Sequence, residues 1–338
     1  RQPGPLQEHL GTPSFQVMHI RAGALALFLL LFSCERDPTK ESPDVSVSAT
    51  REQGPLDENA SPQGTDPLGA GNQYSPSETA DNAPSSEAVF PEQERIQFVL
   101  SKANPAYQGQ GRFEEREGRI VAAHFPGCGL RDLSPLRGLD LEFLDLRGNP
   151  VREIRHLEGM PLKSLWMEDT EVVNLKSLKE AKLVELGLNN SPVESLDGLQ
   201  GQPLEKLYAV ATRITDVEPL GRTSLRQLWL TDSPVSDLSH LAGLPLESLT
   251  VHRTLVRDLS FVRKLPVIQR LHIGETLIED LTPLEGLRLT RLVFTPSRIK
   301  RGLDVARRLQ GLREIGTAFD DRRKDLMPPA AFWSAFGK

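Results

Sequence analysis

At 338 residues the chain has room for two domains, and its 38% hydrophobic content is enough for a sizeable core. A net charge of −6 without a basic stripe excludes nucleic acid as the expected partner. Two cysteines in unrelated contexts, Cys34 and Cys128, exclude a disulfide framework.

In chain order, residues 1–17 are polar, rich in Pro and Gln, and read as non-structural sequence ahead of a start at Met18. Residues 18–33 carry Arg21 and then an apolar run of about 11 residues, the pattern of a secretory signal. That run is too short to span a bilayer, which takes about 20 residues. Leu31-Phe32-Ser33-Cys34 resembles a bacterial lipobox. The resemblance implies a lipidated Cys34 as the mature N-terminus, held in a membrane by several acyl chains. An ordinary signal cleaved nearby, or an uncleaved anchor, is the alternative. Glu35, not Asp, follows the cysteine; under the sorting rule of many diderm bacteria this points to the outer membrane of the cell envelope.

Residues 35–90 are rich in Pro, Ser, Gly and acidic side chains, with 11 acidic and 3 basic residues up to Pro91. Such a segment cannot bury enough surface to offset chain entropy, so a disordered tether is expected. From Pro91 the composition changes. Proline in the first turn, early acids and the apolar Ile96, Val99 and Leu100 predict a helix that caps the following stack, within residues 91–119.

One phrase then repeats. Its first apolar residue falls at Ile120, Leu141, Leu162, Leu183, Leu204, Leu225 and Leu246, each step 21 residues, and continues at Ile268, Leu289 and Leu312. A period of 20–29 residues with an LxxLxL core is the mark of a leucine-rich-repeat solenoid. The predicted fold is an α/β repeat: a right-handed solenoid with a parallel, concave β-sheet, a convex side of 3₁₀ turns and loops, and helical caps. Repeats are expected over residues 120–302. Residues 303–338 read as a last strand and C-terminal cap, the latter carrying Phe332, Trp333 and Phe336.

Within a coil, positions 1, 4 and 6 point inward. Position 9 reads Cys128, Asn149, Thr170, Ser191, Thr212, Ser233, Thr254, Thr276 and Ser297, a ladder of small side chains able to pair backbone groups at a bend. Cys128 is thereby a rung. Ser or Thr before Pro, as in Ser134-Pro135 and Thr282-Pro283, predicts a capped 3₁₀ turn. The short period, phrases such as Asp132-Leu-Ser-Pro-Leu136 and the proline before the next leucine resemble the internalin-like class of bacterial leucine-rich repeats, over about Ile120 to Ile315. The resemblance implies binding of other proteins through the concave face. Ala209, Ala181-Lys182 and the extra Val267 depart from the pattern and predict local irregularity.

Strand positions 3, 5 and 7 face outward on the concave side. Trp166, Tyr208 and Trp229 share one row there, three of the chain's six Trp and Tyr, and such side chains are enriched at binding hot spots. Arg147, Glu168, Glu185, Lys206, Arg270 and Arg291 would set specificity around them. His252 and His272 lie on adjacent coils and are expected to make binding pH-dependent; Glu275 would be a weak third ligand for a metal. No phosphate loop, zinc-protease motif or nucleophile elbow occurs, so neither an enzyme nor a cofactor is expected. The expected partner is a protein or peptide. The alternative is a cell-envelope structural protein that binds peptidoglycan or another glycan.

Overall fold

The computed structural model describes residues 92–318 and 325–336. The signal segment with Cys34, the residues before it and the acidic tether lie outside these. The described chain forms one sheet of 11 strands in sequential order, the layout of a leucine-rich-repeat solenoid. Helix α1 (Glu92–Ala103) leads into β1 (Arg112–Arg116), which pairs antiparallel with β2 (Arg119–His124). Nine three-residue strands follow in parallel: β3 (Phe143–Asp145), β4 (Ser164–Trp166), β5 (Glu185–Gly187), β6 (Lys206–Tyr208), β7 (Gln227–Trp229), β8 (Ser248–Thr250), β9 (Arg270–His272), β10 (Arg291–Val293) and β11 (Glu314–Gly316). The register advances by one coil per strand, so Asp145 stands beside Trp166, Trp166 beside Gly187, and Gly187 beside Tyr208.

Leucine spacing drives this. Leu141, Leu144 and Leu146 are fully buried, as are Leu225, Leu228 and Leu230 in a later coil. Alternation along each strand puts positions 3, 5 and 7 on the other face. The chain leaves the strand through position 8, where Gly127, Gly148, Asp169, Asn190, Ala211, Asp232, Arg253 and Glu275 all have φ between 52° and 67°. That left-handed step turns the corner while each position-8 N–H still reaches the next coil, as in Ala211 N–H to the Thr231 carbonyl at 2.8 Å. The two glycines take it without strain; the other side chains do not.

Position 9 then lies inside and forms the expected ladder. Thr170 and Ser191 hydroxyls both bond the Met167 carbonyl, at 2.8 and 2.6 Å. Thr212 and Ser233 share the Ala209 carbonyl in the same way. The Asn149 amide spans the Phe125 and Leu146 carbonyls and accepts from Leu130 N–H. Cys128 is a buried rung, its Sγ 3.7 Å from the Pro126 carbonyl, and burial pushes the thiol's pKa up. Ser297 drops out: it is exposed, because coil nine forms a 3₁₀ turn there, Pro296–Arg298.

Convex 3₁₀ turns recur at Ser134–Leu136, Arg155–Leu157, Lys176–Leu178, Glu218–Leu220, Ser239–Leu241, Ser260–Lys264 and Thr282–Leu284. Their cap is not the Ser or Thr before proline. In five of these seven turns an aspartate two residues ahead accepts the N–H instead: Asp132 from Ser134, Asp216 from Glu218, Asp237 from Ser239, Asp258 from Ser260 and Asp280 from Thr282, at 2.7–2.9 Å. A short side chain bonding two residues on is an Asx turn, and it presets the 3₁₀ entry. The extra residue near Val267 is absorbed by lengthening one turn to Ser260–Lys264, leaving Val267 43% exposed.

Both ends of the stack are covered. Ile96 and Leu100 are buried, whereas Val99 is 48% exposed: the packed row follows i, i+4 spacing and Val99 lies beyond its edge. Buried Asn104 fastens α1 to the first coil, its side-chain oxygen accepting from Arg131 and Asp132 N–H at 2.7 and 2.8 Å. At the far end come α2 (Leu303–Arg308) and α3 (Pro329–Phe336). Phe332 is buried there against Phe294, with ring centroids 5.8 Å apart.

Candidate functional site

The position-5 row runs Asp145, Trp166, Gly187, Tyr208, Trp229 on strands β3 to β7. Adjacent parallel strands lie about 4.8 Å apart, so Trp166 and Tyr208, two strands apart, start roughly 10 Å from each other. Yet their rings stack with centroids 5.5 Å apart and an interplanar angle of 29°. Gly187 is the reason. A Cβ at that position would stand 2.6 Å from Trp166 Cε3, so the indole leans over the space that a side chain would fill. Tyr208 then stacks on Trp229 at 4.7 Å and 15°. On the other side the Arg147 guanidinium lies 5.7 Å from the Trp166 ring centroid. The result is a continuous pile across β3–β7, half-buried, with its ring faces largely turned on one another.

Charged groups hold this pile in place. Buried Asp145 takes Arg147 in a two-pronged pair, Nε to Oδ1 at 2.9 Å and Nη2 to Oδ2 at 2.6 Å. That hydrogen bonding, against the cost of burial, raises the Arg147 pKa. Glu185 receives Lys206 Nζ at 3.4 Å and the Tyr208 hydroxyl at 3.3 Å. Burial first, then the Glu185 charge, pushes the Tyr208 phenol well up.

Glu168 differs from its expected place on the open face: it is 5% exposed. Its carboxyl carbon would lie 2.7 Å from a Cβ at 187, so the missing side chain makes room for it as well as for the indole. Oε2 has no hydrogen-bond partner among the described residues. Burial pushes its pKa up to about 7; its own backbone N–H and Arg147 oppose this, while Asp145 and Asp169 add to it.

His252 and His272 are also withdrawn, at 0% and 6% exposure, with ring centroids 4.7 Å apart and ring planes tilted by 31°. Gly274 lacks the side chain that would stand in their place: a Cβ there would lie 3.1 Å from His252 Nδ1 and 3.2 Å from His272 Nε2. His252 Nδ1 is 2.9 Å from the Gly274 carbonyl, and Nε2 is 2.5 Å from Arg253 Nη1. A carbonyl only accepts, so Nδ1 is the donor in the first of these contacts. The two rings are packed within the sheet and not on the open face. Glu275 stands 3.9 Å from His252 Nε2, and among the described residues no three His, Cys, Asp or Glu converge as a metal site.

Two arginines complete the face. Arg291 on β10 bonds Glu314 at 2.6 Å. Its register neighbour Arg270 on β9 is half-buried and makes no side-chain hydrogen bond or ion pair among the described residues. Sequence reasoning thus found the aromatic row and its charged flanks. It missed Asp145 and Gly187, whose signal was a gap between two aromatics in one row.

Fold and face together define a leucine-rich-repeat protein with an aromatic pile on its concave sheet. No family model and no curated protein matches the chain. Solved structures do. Internalin C2 from Listeria monocytogenes str. 4b F2365 is 21% identical, with a TM-score of 0.52 over 59% of this chain and 92% of its own. The internalin InlF of the same strain is 22% identical, with a TM-score of 0.50 over 66% and 73%. A leucine-rich-repeat protein of Leptospira interrogans gives 22% and 0.41 over 52% and 54%. The two internalin likenesses are likenesses of fold.

Proposed function

We propose that this protein is a membrane-tethered recognition module that binds a protein or peptide on its concave face, without chemistry of its own. The observation that carries this reading is the pile of Trp166, Tyr208 and Trp229, held rigid by stacking and by the Asp145–Arg147 pair. A pre-ordered aromatic ridge on a sheet gives contact area at little entropic cost, the condition under which hot spots form. A glycan partner would need free ring faces, and most of these are occupied by mutual stacking, which favours protein over peptidoglycan. The tether belongs to the reading through Leu31-Phe32-Ser33-Cys34, with lipid on Cys34 and residence in the outer membrane.

Two experiments test it. The full chain, used as bait on envelope extracts, should capture a protein partner. Replacing Trp166 and Trp229 together with Ala should then weaken that complex by about 2 kcal/mol or more at unchanged secondary structure. Unaltered affinity rejects the face. Separately, expression in a diderm bacterium beside Cys34→Ala should give a lipid-sized mass addition and membrane residence only with the cysteine. Identical mass and fractionation reject the anchor.

A further inference from the structure

This inference concerns regulation of the concave face, and its consequence for binding rests on that face being the binding surface. Arg147, Glu168 and Asn189 occupy position 7 on three successive coils, and the Gly148 N–H donates to the Glu168 carbonyl at 2.9 Å. Arg147 is thus the cation beside Glu168, yet the two side chains do not pair. The guanidinium turns Nε and Nη2 to Asp145, and its Nη1 makes no hydrogen bond among the described residues. The Glu168 carboxyl lies instead against Gly187, in the space over which the Trp166 indole leans, with Oε2 buried and unpartnered. An ionised oxygen there would lack both water and a donor, which costs far more than a protonated one. The place therefore suits a neutral carboxyl, in line with a pKa pushed up to about 7 by burial. Asp145 on β3 and Asp169 in the same coil add to that rise. Tyr208 faces Glu168 from β6, its hydroxyl held by Glu185, which also receives Lys206. Asn189, on the far side, is uncharged, and its Oδ1 already accepts from Val210 N–H.

We infer that Glu168 is a proton-operated latch on the aromatic pile: protonated, it fills the notch at Gly187 beside the Trp166 indole; ionised, it swings out to Arg147 and loosens the Trp166–Tyr208 stack. Arg147 carries the change to the pile. Its guanidinium lies 5.7 Å from the Trp166 ring centroid, so a turn toward Glu168 is felt at that ring, while the emptied notch no longer supports the indole. One cation between two carboxylates gives two discrete arrangements, and the proton on Glu168 selects between them. The ordered pile is the form at mildly acidic pH, and the concave face loses that order as pH rises past neutrality.

The test follows the full chain from about pH 5.5 to about pH 8.5 by tryptophan fluorescence and near-ultraviolet circular dichroism, beside Glu168→Gln and Trp166→Phe. The expected result is a reversible transition centred near pH 7 in the native chain, absent from Glu168→Gln and diminished in Trp166→Phe. A transition that survives Glu168→Gln belongs to another group, such as a histidine, and overturns the inference; so does a flat profile in the native chain. A second measurement needs no variant. With the glutamate carboxyls labelled with carbon-13, one resonance of the native chain should titrate near pH 7, and titration of all of them in the ordinary carboxylate range overturns the latch even where Glu168→Gln fails to fold. The binding face is judged separately. A flat titration on a chain whose partner is lost with Trp166 and Trp229 removes the latch and leaves the face, and the expected titration on a chain whose partner ignores those residues does the reverse.

Discussion

Adding a methyl group to Gly187 would drive a carbon to 2.6 Å from the Trp166 ring and 2.7 Å from the Glu168 carboxyl carbon. Gly187→Ala should therefore break the Trp166–Tyr208 stack and cost about 1–3 kcal/mol, the range for overpacking. Urea unfolding gives the cost and tryptophan fluorescence reports the stack; a variant with native fluorescence and stability would mean the glycine is incidental. Glu168 makes a prediction of opposite kind. Its carboxyl, ordinarily near 4.5, is pushed up to about 7. Between those values the folded chain keeps a proton that the unfolded chain has released, so stability falls as pH rises through this window and levels off above it. Glu168→Gln cannot ionise. Its stability relative to the native chain should grow between pH 5 and pH 8, by roughly 3 kcal/mol at most. A difference that does not change with pH would show a carboxyl ionising normally. Neither residue's role was legible from its own letter. A glycine in the row looks like a gap and a glutamate at position 7 looks solvated; both depend on how far the Trp166 indole leans over the neighbouring strand.

Single coils follow the sequence more closely, because their restraints recur every 21 residues. The inward leucines, the position-9 ladder and the convex 3₁₀ turns are all readable, since each is a residue type repeated at one position. Position 8 is less so. Gly127, Gly148 and Asn190 announce a left-handed backbone, but Ala211, Arg253 and Glu275 share that backbone without announcing it. The hairpin of β1 and β2 was missed because Arg112–Arg116 is mostly charged; its cue is Glu117-Gly118, both with positive φ. The ladder gives a clean test. Ser191 accepts from Thr170 N–H at 3.2 Å while bonding the Met167 carbonyl, so Ser191→Ala leaves a buried donor unpaired. The expected cost is about 1–3 kcal/mol in urea unfolding. The exposed Ser297, at the same position of a later coil, should cost under about 0.5 kcal/mol as alanine. Equal effects at the two sites would remove the ladder from the account of stability.

Across the whole stack, the aspartates at the heads of the convex turns act together. Hydrogen bonds from backbone N–H groups hold the Asp132, Asp237 and Asp280 carboxyls below the ordinary carboxylate range. Their contribution is present above the unfolded value and is lost as pH falls through the lowered folded ones. Thermal stability should thus drop below about pH 4. Changing all three to Asn keeps the accepting oxygen and removes the proton site, so the drop should become shallower. An unchanged slope would assign acid sensitivity to other groups. This window lies below that of Glu168, which lets one pH series separate the convex side from the concave.

A solenoid is usually treated as a line of units, each aware only of the unit before and after it. The Trp166–Tyr208 contact does not obey that description, because it passes over the coil that carries Gly187 and joins the coils on either side. Coils three and five are then linked at second-neighbour range and coil six is joined to coil five by the Tyr208–Trp229 stack, so opening coil four disturbs stacking that belongs to two others. The middle of the molecule should unfold as a block, with fraying confined to the coils outside it, and the block is the stretch that bears the proposed binding face.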